Sequence, residues 1–422
     1  MQIADGVGFR LSKNIRDDVL EIFLAALDQV NGRHVVSQHL KSSQYEHAAP
    51  AVVAIGKAAQ AMMLGAYDLL GEAISDQGMV ITKAGHLEGS TVEEMGVLGL
   101  ESGHPLPNEQ SLDAGSMLLD FLSQQPAGRP LLFLLSGGTS SLVEVLQDGV
   151  TLSELSRANS WLLASGLPIK SINDVRRRLS KIKGGGLLQF IGQRPVDVLL
   201  ISDVQGDDPA VIGSGLLVAS DSTPTELNGL ALPDWLQALI ERCDVLRPVS
   251  QTDISLQVVA NLDMACGAAV KKAEELGYAV VRHNEFLCGD AEVAGKKIAK
   301  VLKDGAVGIH IWGGETTVCL PLNSGCGGRN QHLALTVAQE IAGCDGLYLL
   351  AVGTDGSDGT TSDAGALVDG GTIARAAIEG YDSADCLRRA DAGSLLAASG
   401  DLINTGPTGT NVMDLVIALK PQ

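Results

Sequence analysis

The feature that most constrains this chain is an alternation of short, continuous apolar runs with helical stretches. Ala51-Val-Val-Ala-Ile55, Gly78-Met-Val-Ile-Thr82, Leu131-Leu-Phe-Leu-Leu135 and Val198-Leu-Leu-Ile201 are apolar at successive positions rather than at every second one. A strand with one wet face alternates, whereas a strand covered on both faces has no reason to. The pattern therefore predicts an α/β fold whose first part is a doubly wound, mostly parallel sheet. Ahead of it, Ile15, Val19, Ile22, Phe23 and Ala26 fall at helical spacing between Asn14 and Val30, which predicts an opening amphipathic helix.

At 422 residues the chain is longer than one hydrophobic core usually serves, so two domains are expected. The text becomes irregular between Ser220 and Pro248, which places a boundary there: a larger Rossmann-like α/β domain over 1–240 and a smaller α/β domain over 250–422. A second alternation follows in Leu256–Ala260, Ala279–Arg282, Val307–Ile311, Leu347–Ala351 and Met413–Ala418. The last of these runs has the spacing to return to either domain.

Charge and aromatic content narrow the partners. Thirty basic against fifty acidic residues give a net charge of −20, and the chain has only six Phe, five Tyr and three Trp. Duplex binding needs a basic field and single-strand binding needs stacking platforms, so nucleic acid and anionic membrane are excluded as expected partners. The seven cysteines form no C-x-x-C pair, which points to thiols in a reducing compartment rather than to disulfides or zinc. No leader pattern and no run of about 18 apolar residues is present, so a soluble cytoplasmic chain is expected.

The strand ends carry the chemistry. Ala54-Ile-Gly56-Lys57 delivers a lysine to the start of a helix, where ammonium and helix-terminal N–H groups favour a phosphate. Ser136-Gly137-Gly138-Thr139-Ser140-Ser141 offers glycines for close backbone approach and hydroxyls as donors, without Walker A spacing. Lys181-Ile-Lys183-Gly184-Gly185-Gly186, after Arg176-Arg177-Arg178, is the one basic concentration in an acidic chain and suits an anionic ligand. Asp203, straight after a buried run, is placed to orient or deprotonate a hydroxyl or to hold a metal. His104 lies in the polar turn Gly103-His104-Pro105-Leu106-Pro107-Asn108 as a binding candidate.

Further on, Gly313-Gly314-Glu315 carries a carboxylate in a glycine turn, and Gly327-Gly328-Arg329 brings an arginine to a helix start, where it can grip an anion bidentately. Gly353-Thr354-Asp355-Gly356-Ser357-Asp358-Gly359 has the composition of a metal and phosphate loop. No H-E-x-x-H, nucleophile elbow or G-x-G-x-x-G after the first strand is found, which counts against a zinc hydrolase, a serine hydrolase and a conventional nicotinamide dehydrogenase.

In their order these segments resemble the class II glycerate kinases, the glycerate 2-kinase family whose C-terminal part is the MOFRL domain. The resemblance rests on Val53–Ala59, Gly103–Asn108, Leu135–Ser141, Ile172–Arg176 with Lys183–Gly186, Ser202–Val204, Gly313–Thr316, Gly328–Asn330 and Gly353–Gly359, and it spans about residues 10 to 420. It implies transfer of a phosphoryl group from ATP, with Mg²⁺, to D-glycerate at the 2-hydroxyl, in a site between two α/β domains. On that reading Lys57 and Arg329 bracket the transferring group and Asp203 orients the acceptor hydroxyl. Ser136, Gly137 and Gly138 take the phosphates, with Gly56, His104, Thr139, Lys183, Gly184, Glu315, Asp355 and Asn411 as further substrate or nucleotide contacts. Asp355 and Asp358 are the expected metal ligands. An NAD(P)H-dependent hydroxypyruvate reductase and a non-catalytic nucleotide or sugar-acid sensor are the alternatives, and a monomer or homodimer is expected.

Overall fold

The structure, a computed structural model, describes residues 15–42, 49–218, 230–244 and 254–421. The chain divides into two compact units. The first unit comprises Gln29–Leu262 with Pro407–Met413, and the second takes the opening helix through Asp28, then Asp263–Gly406 and the stretch from Asp414 onward.

Among the described residues the first unit holds a six-stranded sheet: β1 (Ala51–Ile55), β2 (Gly78–Lys83), β3 (Leu98–Ser102), β4 (Leu131–Leu135), β5 (Val196–Ile201) and β6 (Ile254–Ala260). Its order is β3-β2-β1-β4-β5-β6 and every pairing is parallel. This order reverses the winding between β1 and β4, and a crevice therefore opens beyond the carboxyl ends of those two strands. β1 and β4 are buried at every position, as their continuous apolar text demands. One face packs Ala51, Val53, Ile55, Phe133 and Leu135 against Leu118 and Leu122 of the helix Glu109–Gln124. That helix is started by a reciprocal cap between Asn108 and Ser111.

The run Leu256–Ala260, read from sequence as opening the second domain, instead forms β6 and pairs with β5, completing the first sheet. The supposed boundary region is also only partly a connection. Residues 219–229 and 245–253, including Ser220–Pro224, lie outside the described residues, but Asp234–Glu241 between them is a helix. Its Leu236, Leu239 and Ile240 pack with Leu155, Leu162 and Val175 into a separate helical cluster of the first unit.

The second unit holds β7 (Val280–Arg282), β8 (Leu287–Asp290), β9 (Gly308–Thr317), β10 (Tyr348–Gly353), β11 (Gly365–Asp369), β12 (Leu402–Ile403) and β13 (Asp414–Lys420). The order is β12-β11-β10-β13-β9-β7, with β8 also paired to β9. Here the sheet is mixed: β7 and β8 run parallel to β9, and the remaining pairings are antiparallel. The closing run returns to this unit as β13, inserted between β9 and β10. The opening helix, Ile15–Gln29, is tied to the same unit by Arg16, which donates to Asp369 (2.8 Å), Leu367 O (2.8 Å) and Asp401 (3.0 Å). Conversely, Pro407–Met413 is fastened in the first unit by Gly32 N–H to Gly409 O (2.9 Å) and the Thr410 hydroxyl to Val30 O (2.7 Å). This brief return brings Asn411 to the ends of the parallel strands.

Candidate functional site

In the first unit β1 and β4 end side by side and their loops interlock. Ser136 N–H donates to Ile55 O (3.0 Å), Lys57 N–H to Gly137 O (2.9 Å) and Ala58 N–H to Ser136 Oγ (3.1 Å). Thr139 Oγ1 donates back to Ile55 O (2.9 Å) and to Ser136 O (2.7 Å). Gly56 has φ +131°, and a Cβ there would lie 2.1 Å from Ser136 Oγ, so only glycine permits this approach. Among the described residues no backbone carbonyl accepts from the Gly137 or Gly138 N–H. Adjacent N–H donors left without backbone partners beside a lysine form a concavity suited to an anion.

Asp203, at the end of β5, accepts from Asn411 Nδ2 at 3.0 Å. Both lie over Gly137: a Cβ on that residue would stand 2.0 Å from Asp203 Oδ2 and 2.0 Å from Asn411 Nδ2. His104 comes to the same loop, its Nε2 3.3 Å and the Lys57 Cγ 3.5 Å from where a Gly138 Cβ would be. The fold thus gathers Gly56, Lys57, His104, Ser136, Gly137, Gly138, Thr139, Asp203 and Asn411 around one loop.

Lys183 is held by an ion pair. It is buried, with its ammonium 2.5 Å from Glu144, which also accepts from Ser180 Oγ (2.5 Å) and Val145 N–H (3.0 Å). The loop it opens follows the helix Ile169–Arg178 rather than a strand, and Gly184 N–H donates to Ser214 O (3.0 Å). The neighbouring arginines are likewise engaged within the first unit: Arg176 on Asn159, Arg177 on Asp174 and Ala210 O, and Arg178 on the carbonyls of Ile240, Cys243 and Asp244. The basic concentration seen in sequence is largely an internal brace.

In the second unit Arg329 opens the helix Arg329–Glu340 and is gripped bidentately by Asp414 (Nε–Oδ2 2.6 Å, Nη2–Oδ1 2.9 Å), with Glu315 2.9 Å from Nη1. Burial by itself lowers its pKa. The hydrogen bonds to Asp414 and the charges of Asp414, Glu315 and Asp358 outweigh that and hold it above the ordinary arginine value. Asp414 was not singled out from sequence; the signal was a carboxylate heading an otherwise apolar buried strand, where only a paired charge is tolerated. Glu144 is a second such residue, wholly buried after Leu142 and Val143.

The aspartate loop resolves into turns and a cap. Asp358 accepts from Asn330 N–H (3.1 Å) and Gln331 N–H (2.8 Å), closing the start of the helix that carries Arg329. Asp355 accepts from the N–H and hydroxyl of Ser357 (2.9 and 3.2 Å). These contacts give Asp355 and Asp358, the expected metal ligands, local roles in a turn and a helix cap. Both oxygens of Asp358 are committed to helix N–H groups, and among the described residues no group of three or more His, Cys, Asp or Glu converges as a metal site. Also among the described residues, no helix is long and apolar enough to cross a membrane.

Residues 18–232 match the family described as Domain of unknown function (DUF4147), and residues 308–414 match the MOFRL family. A D-glycerate 2-kinase of Thermotoga maritima is 37% identical over 383 residues, covering 87% of this chain and 90% of that protein. A glycerate 2-kinase of Pyrococcus horikoshii is 33% identical, covering 87% and 86%. The chain belongs to the glycerate kinase family. The crystal structure of a glycerate kinase from Thermotoga maritima matches with a TM-score of 0.81 at 34% identity, over 96% of this chain and 99% of that one. The α/β fold expected from the alternating runs is therefore the family's fold. A relative from Agrobacterium vitis, 33% identical over 86% of this chain, carries a hydroxypyruvate reductase name that is given there as provisional.

Two outcomes follow from the charges. Lys183→Met should cost about 3–5 kcal/mol in urea unfolding by stranding Glu144, and Lys183→Met with Glu144→Gln should recover most of it; a single-variant loss below about 1 kcal/mol would show that the ion pair is not a brace. Asp358 is pushed up to about 7, first by burial and then by the Asp414 charge, against its hydrogen bonds from Gln331 and Asn330. The folded chain holds this proton more tightly than the unfolded chain, whose ordinary value is 3.8. Its contribution to stability is thus fully present below that value and is lost as pH rises toward about 7. Unfolding free energies measured across that range should fall with pH through this group, and Asp358→Asn should remove that share of the slope.

Proposed function

We propose that the chain transfers the γ-phosphoryl group of ATP to the 2-hydroxyl of D-glycerate, giving 2-phosphoglycerate and ADP. The observation that carries this reading is the seating of a carboxylate, Asp203, directly over the glycine loop that lies beside Lys57. Phosphoryl transfer needs positioning and charge stabilisation far more than covalent chemistry. The Gly137 and Gly138 N–H groups and the Lys57 ammonium hold the phosphate oxygens. Asp203, its rotamer fixed by Asn411, takes the proton of the glycerate hydroxyl as the new O–P bond forms and the bond to the β-phosphate oxygen breaks.

Arg329 is assigned the second positive charge on the transferring group. Its guanidinium is planar and pre-oriented by Asp414 and Glu315, so it loses little freedom in meeting phosphate oxygens. Mg²⁺ is assigned to the nucleotide, arriving on its phosphates as part of the substrate, since the carboxylates of the aspartate loop are used in turns and a helix cap. The reductase reading has less support, because the first strand-to-helix turn reads Gly56-Lys57-Ala58-Ala59 and packs onto Ser136 instead of carrying a pyrophosphate fingerprint. A cytoplasmic enzyme acting as a monomer or homodimer remains part of this proposal.

The test is an assay with ATP, Mg²⁺ and D-glycerate in which the product is passed to enolase alone. Phosphoenolpyruvate is expected, because enolase accepts 2-phosphoglycerate; product that reacts only after phosphoglycerate mutase would overturn the regiochemistry. Lys57→Ala and Arg329→Lys should each lower kcat/KM about 100-fold or more. Retention of more than about half of the wild-type value by either would remove that residue from the mechanism.

A further inference from the structure

The first unit contains a cavity of about 520 Å³ at the carboxyl ends of β2 and β3, lined by Lys83, Glu101, His104, Pro105, Leu106 and Gln110 among others. Of these, only His104 reaches the glycine loop described above. We infer that this cavity is the nucleoside subsite of the phosphoryl donor, taking the base and ribose of a purine nucleoside triphosphate; the inference rests on the kinase reading and deepens it.

Position argues first. The cavity lies on the β2–β3 side of the β1/β4 crevice, and His104 belongs to both, since its ring stands within 3.3 Å of the Gly138 Cβ position while lining the cavity. A ligand whose phosphates lie on the Gly137-Gly138 loop would therefore extend past His104 into it. Size and charge then decide between donor and acceptor. About 520 Å³ is within the range of pockets that enclose drug-sized ligands, roughly 300–1,000 Å³, and is far more than a three-carbon acid fills. Glu101 would repel the glycerate carboxylate, whereas a carboxylate near the carboxyl end of a strand in such a sheet is suited to accept from a ribose diol. Its orientation is fixed by Gly85 N–H, which donates to Glu101 Oε1 at 2.7 Å. Pro105 and Leu106 supply an apolar wall, and Leu106 is 43% exposed, which a flat base would cover.

Calorimetric titration of the full chain with ADP, and separately with inorganic tripolyphosphate, tests this. Leu106→Asp, at an exposed side chain, should weaken ADP at least tenfold and tripolyphosphate less than twofold. Glu101→Gln should abolish the preference of the wild type for ADP over 2′-deoxy-ADP. In steady-state assays Leu106→Asp should raise KM for ATP at least tenfold while KM for D-glycerate stays within twofold. Unchanged ADP affinity in Leu106→Asp would overturn the subsite, as would a rise confined to KM for D-glycerate, which would make the cavity the acceptor's; neither result touches the kinase reading. Nucleotide binding that responds as expected in a chain that forms no phosphoglycerate would leave the subsite standing and overturn the kinase reading instead.

Discussion

The contact on which the first unit depends is the approach of two strand ends with no side chain between them. β1 and β4 are adjacent at the point where the winding of the sheet reverses, and Gly56 lets the backbone leaving β1 lie against Ser136. Three hydrogen bonds then lock the loops: Ser136 to Ile55, Lys57 to Gly137 and Ala58 to Ser136. The lock satisfies most of the backbone there and leaves the Gly137 and Gly138 N–H groups without backbone acceptors, an arrangement suited to an anion.

The second unit solves a different problem, that of holding an arginine half-buried. Asp414 enters from the closing strand and Glu315 from β9, and the register that pairs Asp414 with Gly314 sets them side by side. Truncating either carboxylate would leave Arg329 with fewer orienting bonds. Asp358 contributes indirectly, by closing the start of the helix on which Arg329 sits. The same economy of buried charge recurs in the Lys183–Glu144 pair and in the Arg16 contacts to Asp369 and Asp401.

What was legible in the sequence follows from where burial is continuous. β1, β4 and β5 are apolar at nearly every position because both faces are covered, and they announced themselves. β3, with Leu98 41% exposed on the sheet edge, and the two-residue β12 carry too little pattern to be seen. Leu256–Ala260 was visible as a strand but not as the sixth member of the first sheet, since sequence spacing does not record which edge a strand joins. Of the residues described above, those following buried strands were readable: Gly56, Lys57, Ser136 and Asp203. Asp414 and Glu144 were not, because a buried carboxylate reads as an ordinary surface acid until its cation is placed beside it. The turn and cap made by the aspartate loop were hidden for the converse reason, as the local N–H groups that bind its oxygens are not displayed in sequence.

The proposed chemistry requires the space over Gly137, where Asp203 and Asn411 meet the glycine loop. Gly137→Ala inserts one methyl group at a position 2.0 Å from both Asp203 Oδ2 and Asn411 Nδ2, and it removes no charged or hydroxyl group. The measurement is kcat/KM of this variant with ATP and D-glycerate, alongside its thermal unfolding midpoint. The account predicts a fall of about 100-fold or more with the fold retained, because the carboxylate that takes the proton is displaced from the phosphate loop. A folded Gly137→Ala chain with kcat/KM within about twofold of wild type would contradict it.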